Sequence, residues 1–219
     1  MALRGQFYDE LASLQFNIKK LAVNCVNAFE QSIDSLYDHD VEKAQQIIEN
    51  DQYLDQEEVA INEKAILLIA RQQPVATDLR RLIVAIKTST DLERMADHAT
   101  NIAKSTIHLG KEHDLPINPA LREMANQAME MVDVATKAFE HEDISLARTL
   151  ADMDDKVDNM YGKITKELME LSADHPQNIQ HIMQLAFVGR YIERFADHIT
   201  NIGENIFYIV KGETFDLNE

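Results

Sequence analysis

Apolar residues spaced three and four apart, interrupted by turn formers, predict six helices. They cover residues 6–36, 41–71, 75–109, 120–139, 144–172 and 177–210. Tyr37-Asp38-His39-Asp40 separates the first two, and Asp40 can cap the second. Pro74 ends the second because it cannot continue the backbone ladder, and Gly110 ends the third. A linker with two prolines, Pro116 and Pro119, leads into the fourth. His141-Glu142-Asp143 repeats the earlier turn, Pro176 interrupts again, and the sixth helix stops before Gly212.

The last three helices repeat the first three. Glu93-Arg94-Met95-Ala96-Asp97-His98-Ala99-Thr100-Asn101-Ile102 and Glu193-Arg194-Phe195-Ala196-Asp197-His198-Ile199-Thr200-Asn201-Ile202 differ only at their third and seventh positions, 100 residues apart. Asp51-x-x-Leu54-Asp55 pairs with Asp154-x-x-Val157-Asp158, and Asp40 with Asp143, at an offset of 103. Two units of this length indicate an internal duplication and not a solenoid. Short connections make neighbouring helices antiparallel. The expected fold is all-α, two pseudo-symmetric antiparallel three-helix bundles, residues 1–112 and 113–219.

Side-chain chemistry narrows the function. Projected at 100° per residue, the second helix shows an apolar face of Ala44, Ile47, Ile48, Leu54, Ala65, Ile66 and Ile69, with Asp51 and Asp55 in its middle and Glu58 and Asn62 nearby. The fifth places Asp154 and Asp158 among Ala147, Leu150, Ala151, Val157 and Leu168. Carboxylates at core positions are costly unless paired or metal-bound. On the third helix Glu93, Asp97 and Asn101 form a stripe beside the apolar face, with Thr100 in the same sector; Glu193, Asp197, Asn201 and Thr200 repeat it on the sixth. Pairing each helix with its predecessor brings Asp51, Asp55, Glu93 and Asp97 towards one place and Asp154, Asp158, Glu193 and Asp197 towards another. Asn101 and Asn201 are possible additional ligands. Oxygen-rich sites suit Mg²⁺, Ca²⁺, Mn²⁺ or iron, whereas copper(I) wants thiolates. Two solvated acidic faces, balanced by Arg94 and Arg194, are the competing reading.

His98 and His198 lie off the acidic stripe and read as surface or inter-helix hydrogen-bonding residues. Arg71, Arg80 and Arg81 read as a solvated helix end before they read as an anion site. No Glu-x-x-His occurs, which argues against a di-iron oxidase of the bundle type. The net charge of −17 and the lack of a Lys/Arg run argue against nucleic-acid binding through phosphate neutralisation, and leave cations and basic protein patches as partners. Cys25 stands alone in an apolar stretch, so no internal disulfide forms. No segment has the roughly 18 apolar residues of a membrane span, and no direct membrane insertion is expected. No stretch resembles a signal peptide, and a cytoplasmic location follows as an expectation.

The chain resembles the PhoU family of phosphate-uptake regulators. The resemblance rests on Arg71-Gln72-Gln73-Pro74-Val75-Ala76-Thr77-Asp78-Leu79-Arg80 and on the two segments Asp91–Ala103 and Ile192–Ile202. It implies two three-helix bundles and a Glu/Asp-x-x-x-Asp motif holding a divalent or multinuclear metal, iron foremost, with zinc, manganese, magnesium or calcium as alternatives. By match, Glu93 and Asp97 carry the motif in one half and Glu193 and Asp197 in the other, with Asp51, Asp55, Asp154 and Asp158 at the acidic positions of the preceding helices. It further implies a non-catalytic, cytoplasmic negative regulator of phosphate uptake and the phosphate-starvation response. Such a protein acts on a Pst-type phosphate ABC transporter and a sensor histidine kinase. A homodimer is expected, although no heptad seam stands out. The second copy departs in having Tyr191 where the first has Asp91, and Ser172–Pro176 where the first has Arg71–Val75. A metal-dependent helical enzyme and a metal-free interaction module are the alternatives.

Overall fold

A computed structural model describes residues 2–111 and 115–217, with side chains from residue 5 onward. It contains α1 (Ala2–Tyr37), α2 (Val41–Gln72), α3 (Thr77–Leu109), α4 (Ala120–His141), α5 (Ile144–Asp174) and α6 (Ile179–Lys211). No strand occurs among the described residues.

The helix ends follow from local chemistry. Asp40 accepts from the Lys43 amide, and Asp143 accepts from Ser145 and Leu146, so both halves start their second helix with the same cap. Gln73 (φ 46°, ψ 54°) and Glu142 (φ 50°, ψ 40°) close α2 and α4 in the left-handed region. Two helices start later than the spacing of the sequence implies. α3 starts at Thr77 because Ala76 adopts φ 50°, ψ −122°, a conformation that turns the chain out of the helix. α6 starts at Ile179 because Pro176–Asn178 form a single 3₁₀ turn first.

Each half is a three-helix bundle, and the halves join mainly along α3 and α6, with a smaller contact between α1 and α4. One hydrophobic core runs through both. Phe29 of α1 stacks on Phe195 of α6 with ring centroids 3.8 Å apart, a contact that crosses from one half to the other. Two arginines tie the halves at the start of α3. Arg80 donates Nε–H to the Ile209 carbonyl at 3.1 Å. Arg81 grips both carboxylate oxygens of Glu142, at 2.6 and 3.1 Å. These two residues are clamps between elements of the two halves, not the solvated helix end their position suggests; of the three arginines, Arg71 alone is exposed. After α6 the chain folds back, with Phe215 stacked on Phe207 at 4.6 Å and the Leu217 amide donating to Glu204.

Candidate functional site

The acidic residues of α2 face those of α3, and the acidic residues of α5 face those of α6. In the first half, burial pushes the Asp51 carboxyl above its ordinary range. A hydrogen bond from Thr100 pulls it back, and the charges of Asp55 and Asp97 add to the rise. Glu93 is raised by burial and by Asp97, against the pull of Arg94, with Asp55 and Glu58 adding to the rise. Arg94 reaches Asp97 at 3.3 Å and Glu93 at 3.6 Å. Asp51, Asp55, Glu93 and Asp97 therefore feel one another across the α2–α3 interface. Glu58 and Asn62 bridge the same two helices instead, Glu58 accepting from Thr90 at 2.9 Å and Asn62 from Ser89 at 2.9 Å.

The second half is deeper and less relieved. Asp154 is 4% exposed. Burial, reinforced by Asp158, Asp197, Glu193 and Asp155, pushes its carboxyl up to about 7. Asp158 is raised by burial and Asp197, and Glu193 by burial and Asp197 against the pull of Arg190. Arg190 holds one oxygen of Glu193, and Arg194 sits 3.4 Å from Asp197. Yet Asp154 Oδ1 and Glu193 Oε2 are buried with no hydrogen-bond partner. Matched residues account for part of this difference. Thr100 relieves Asp51, whereas the hydroxyl of Thr200 donates to the Asp197 carbonyl at 2.7 Å.

Two buried, orphaned carboxylate oxygens on facing helices are what a hard cation would satisfy, and this donor set fits one in the second half. No buried oxygen of Asp51, Asp55, Glu93 or Asp97 stands orphaned in the same way. Among the described residues no three His, Cys, Asp or Glu side chains are arranged to hold an ion as they stand. A cation would have to draw the flanking Asp158 and Asp197 inward.

Three motif residues, Asn201, His198 and His98, lie at the α3–α6 seam. Asn201 turns to the α3–α6 seam and donates its amide N–H to Asp91 Oδ1 at 3.1 Å. Asn101 is half-buried at the matching place on α3. His198 Nδ1 meets the same Asp91 oxygen at 3.1 Å. His98 sits 5.6 Å from His198 and 6.1 Å from the Tyr191 ring, centroid to centroid. The inter-helix hydrogen-bonding reading therefore holds for His198, whereas His98 packs in the seam with its Nδ1 unpartnered, and the departure at Tyr191 gains a meaning. Where the first copy supplies a carboxylate to His198, the second supplies a ring to His98. Nδ1 of His98 is left buried and unpartnered. Burial, then His198 and the arginines Arg194, Arg190 and Arg94, lowers its pKa to about 4. In the sequence Asp91 stands out only as the residue that Tyr191 replaces in the second copy, and nothing local marks it as the anchor of the seam.

A family model described as the PhoU domain matches the chain twice, over residues 18–106 and 121–206. The phosphate-specific transport system accessory protein PhoU homolog of Clostridium acetobutylicum is 32% identical over 215 residues, covering 98% of this chain and 95% of that protein. The phosphate-specific transport system accessory protein PhoU of Escherichia coli K12 is 32% identical over 213 residues, covering 97% of this chain and 88% of that protein. Among solved structures, the phosphate transport system regulatory protein PhoU from Streptococcus pneumoniae superimposes with a TM-score of 0.90 at 30% identity, covering 96% of this chain and 99% of the other. PhoU from Pseudomonas aeruginosa gives 0.80 at 32% identity, covering 97% and 99%.

Proposed function

The chain belongs to the PhoU family, and from that premise we propose that it is a cytoplasmic negative regulator of phosphate uptake and the phosphate-starvation response. It is a metal-binding adaptor that docks on a Pst-type phosphate ABC transporter and on a sensor histidine kinase. The observation that carries this reading is the full-length match to phosphate-transport accessory and regulatory proteins, with both copies of the acidic motif at pseudo-equivalent places. No helix is long and apolar enough to cross a membrane, which suits a protein that docks on a transporter from one side. The relatives' names describe accessory and regulatory proteins, which supports regulation over turnover.

In this reading Asp154, Asp158, Glu193 and Asp197 hold the cation of the second half, and Asp51, Asp55, Glu93 and Asp97 that of the first. The ion supplies positive charge that cancels carboxylate repulsion and ties α5 to α6 and α2 to α3. Oxygen donors without thiolate suit iron, manganese, magnesium or calcium, and zinc less well. Deleting the gene and measuring phosphate uptake and phosphate-responsive transcription in phosphate-rich medium tests the regulator. Both rise on deletion if the reading holds, and unchanged values overturn it. Elemental analysis of protein purified without chelator tests the metal separately.

A further inference from the structure

An open cavity of about 370 Å³ lies on the seam between the halves, lined by Lys87, Thr90 and Asp91 of α3 and by Asn201, Glu204 and Asn205 of α6. That volume falls in the ~300–1,000 Å³ range of small-molecule sites. Asn205 is 8% exposed, yet its side-chain amide has no hydrogen-bond partner among the described residues. A polar group that deep is normally paired. One oxygen of Asp91 meets both His198 and Asn201, and one oxygen of Glu204 accepts from the Leu217 amide. The second oxygen of each carboxylate has no hydrogen bond or ion pair among the described residues. Lys87 also makes no ion pair there; its Nζ lies 5.6 Å from the centroid of the Tyr208 ring. Thr90, by contrast, is already bonded to Glu58.

The duplication shows that the shared fold does not require these groups. At the offset of 100, the residues matching Lys87, Asp91, Glu204 and Asn205 are Phe187, Tyr191, Lys104 and Ser105. The rings of Phe187 and Tyr191 stack with centroids 6.5 Å apart. One end of the seam thus presents aromatic carbon and a lysine where the other keeps a polar cavity with two carboxylates.

The charges of the cavity select its occupant. Burial lifts the Glu204 carboxyl above its ordinary range; the Leu217 amide pulls it back, Asp216 and Asp91 raise it further, and Lys87 lowers it. Two carboxylates and a lysine therefore share the cavity without pairing with one another. A phosphate would meet the repulsion of Asp91 and Glu204, and a metal ion that of Lys87. A ligand that carries one charge of each sign meets neither. Lys87 and Asp91 stand one turn apart on α3, so both charged groups of a small zwitterion can be served at once. We propose that the cavity binds a free α-amino acid, whose ammonium group donates to Asp91, Glu204 and the side-chain carbonyl of Asn205 and whose carboxylate faces Lys87. The ligand bridges α3 and α6, and so the two halves. The site uses none of the acidic residues at the α2–α3 and α5–α6 interfaces and stands independently of the regulatory reading above.

Ligand-observed NMR titration of the full chain is the test, with L-glutamine, n-butylamine and butyrate as probes. Glutamine binds with a Kd of about 1 mM or tighter. Butylamine and butyrate, each with only one of its charges, bind at least about tenfold more weakly. Lys87→Glu, at an exposed position, weakens glutamine at least about tenfold and strengthens butylamine. Asn205→Ser, which installs the residue of the duplicate, also weakens glutamine about tenfold, and helical circular dichroism is unchanged in both variants. No glutamine binding at about 10 mM, butylamine binding as tightly as glutamine, or glutamine binding that survives either substitution overturns the proposal.

Discussion

Replacing Asp154 with asparagine keeps the shape of the side chain and removes a charge from the most crowded acidic position of the protein. The folded carboxyl protonates at about 7 and the unfolded one at its ordinary 3.8. Between those values the folded state holds the extra proton, so the contribution of Asp154 to stability falls as pH rises from about 4 to about 7 and stays low above that. Three units at about 1.4 kcal/mol each bound the loss at about 4 kcal/mol. Asp158 and Asp197 reach water and let it screen the site, which brings the expected value to about 2–3 kcal/mol. The variant escapes this loss. In chelator at pH 8.5, Asp154→Asn should raise the unfolding free energy by about 2–3 kcal/mol, and at pH 5 by about 1 kcal/mol. Urea denaturation at the two pH values, with an unchanged slope, measures it. Adding a divalent cation at pH 8.5 should then stabilise the native protein more than the variant, which keeps only the acidic set of the first half intact. A variant that is less stable at pH 8.5 in chelator, or whose advantage is the same at both pH values, would falsify the account of Asp154 as a buried, unrelieved charge.

Tyr191→Asp should give His98 the partner that Asp91 gives His198, and lift the His98 pKa from about 4 towards or above its ordinary 6.5; a histidine proton titration that leaves it near 4 refutes this. Phe29→Ala should cost about 3–5 kcal/mol, because the ring is fully buried against Phe195. Since the core is shared, calorimetry should still show one transition for both halves, and two separate transitions would contradict a continuous core. Ala76→Gly should stabilise by about 1 kcal/mol in thermal or urea unfolding, because glycine adopts φ 50°, ψ −122° without strain; a destabilised variant would show that the Ala76 methyl group contributes packing the strain argument omits.

Six helices, their caps at Asp40 and Asp143, the duplication and the two acidic stripes were all legible in the chain. Each depends on residues within a turn or two of one another, and the helical period projects those onto faces without further information. The misplaced Asp51 and Asp154 pointed to facing acidic sets for the same reason, since a carboxylate in an apolar face signals that something must compensate it. Tertiary structure alone decided which carboxylates go unrelieved. Asp51 and Asp154 occupy equivalent positions, yet the hydroxyl of Thr100 reaches the one while that of Thr200 turns back to its own helix. Packing between the halves likewise set Asp91 against His198 and Asn201 and made clamps of Arg80 and Arg81, while the packing of α2 on α1 and α3 left Ile66 outside although it reads as part of the apolar face of its helix. Local periodicity states which residues share a face. Which of two available faces is buried, and which polar group finds a partner there, depends on residues on other helices, brought close only when the helices pack within and between the two bundles.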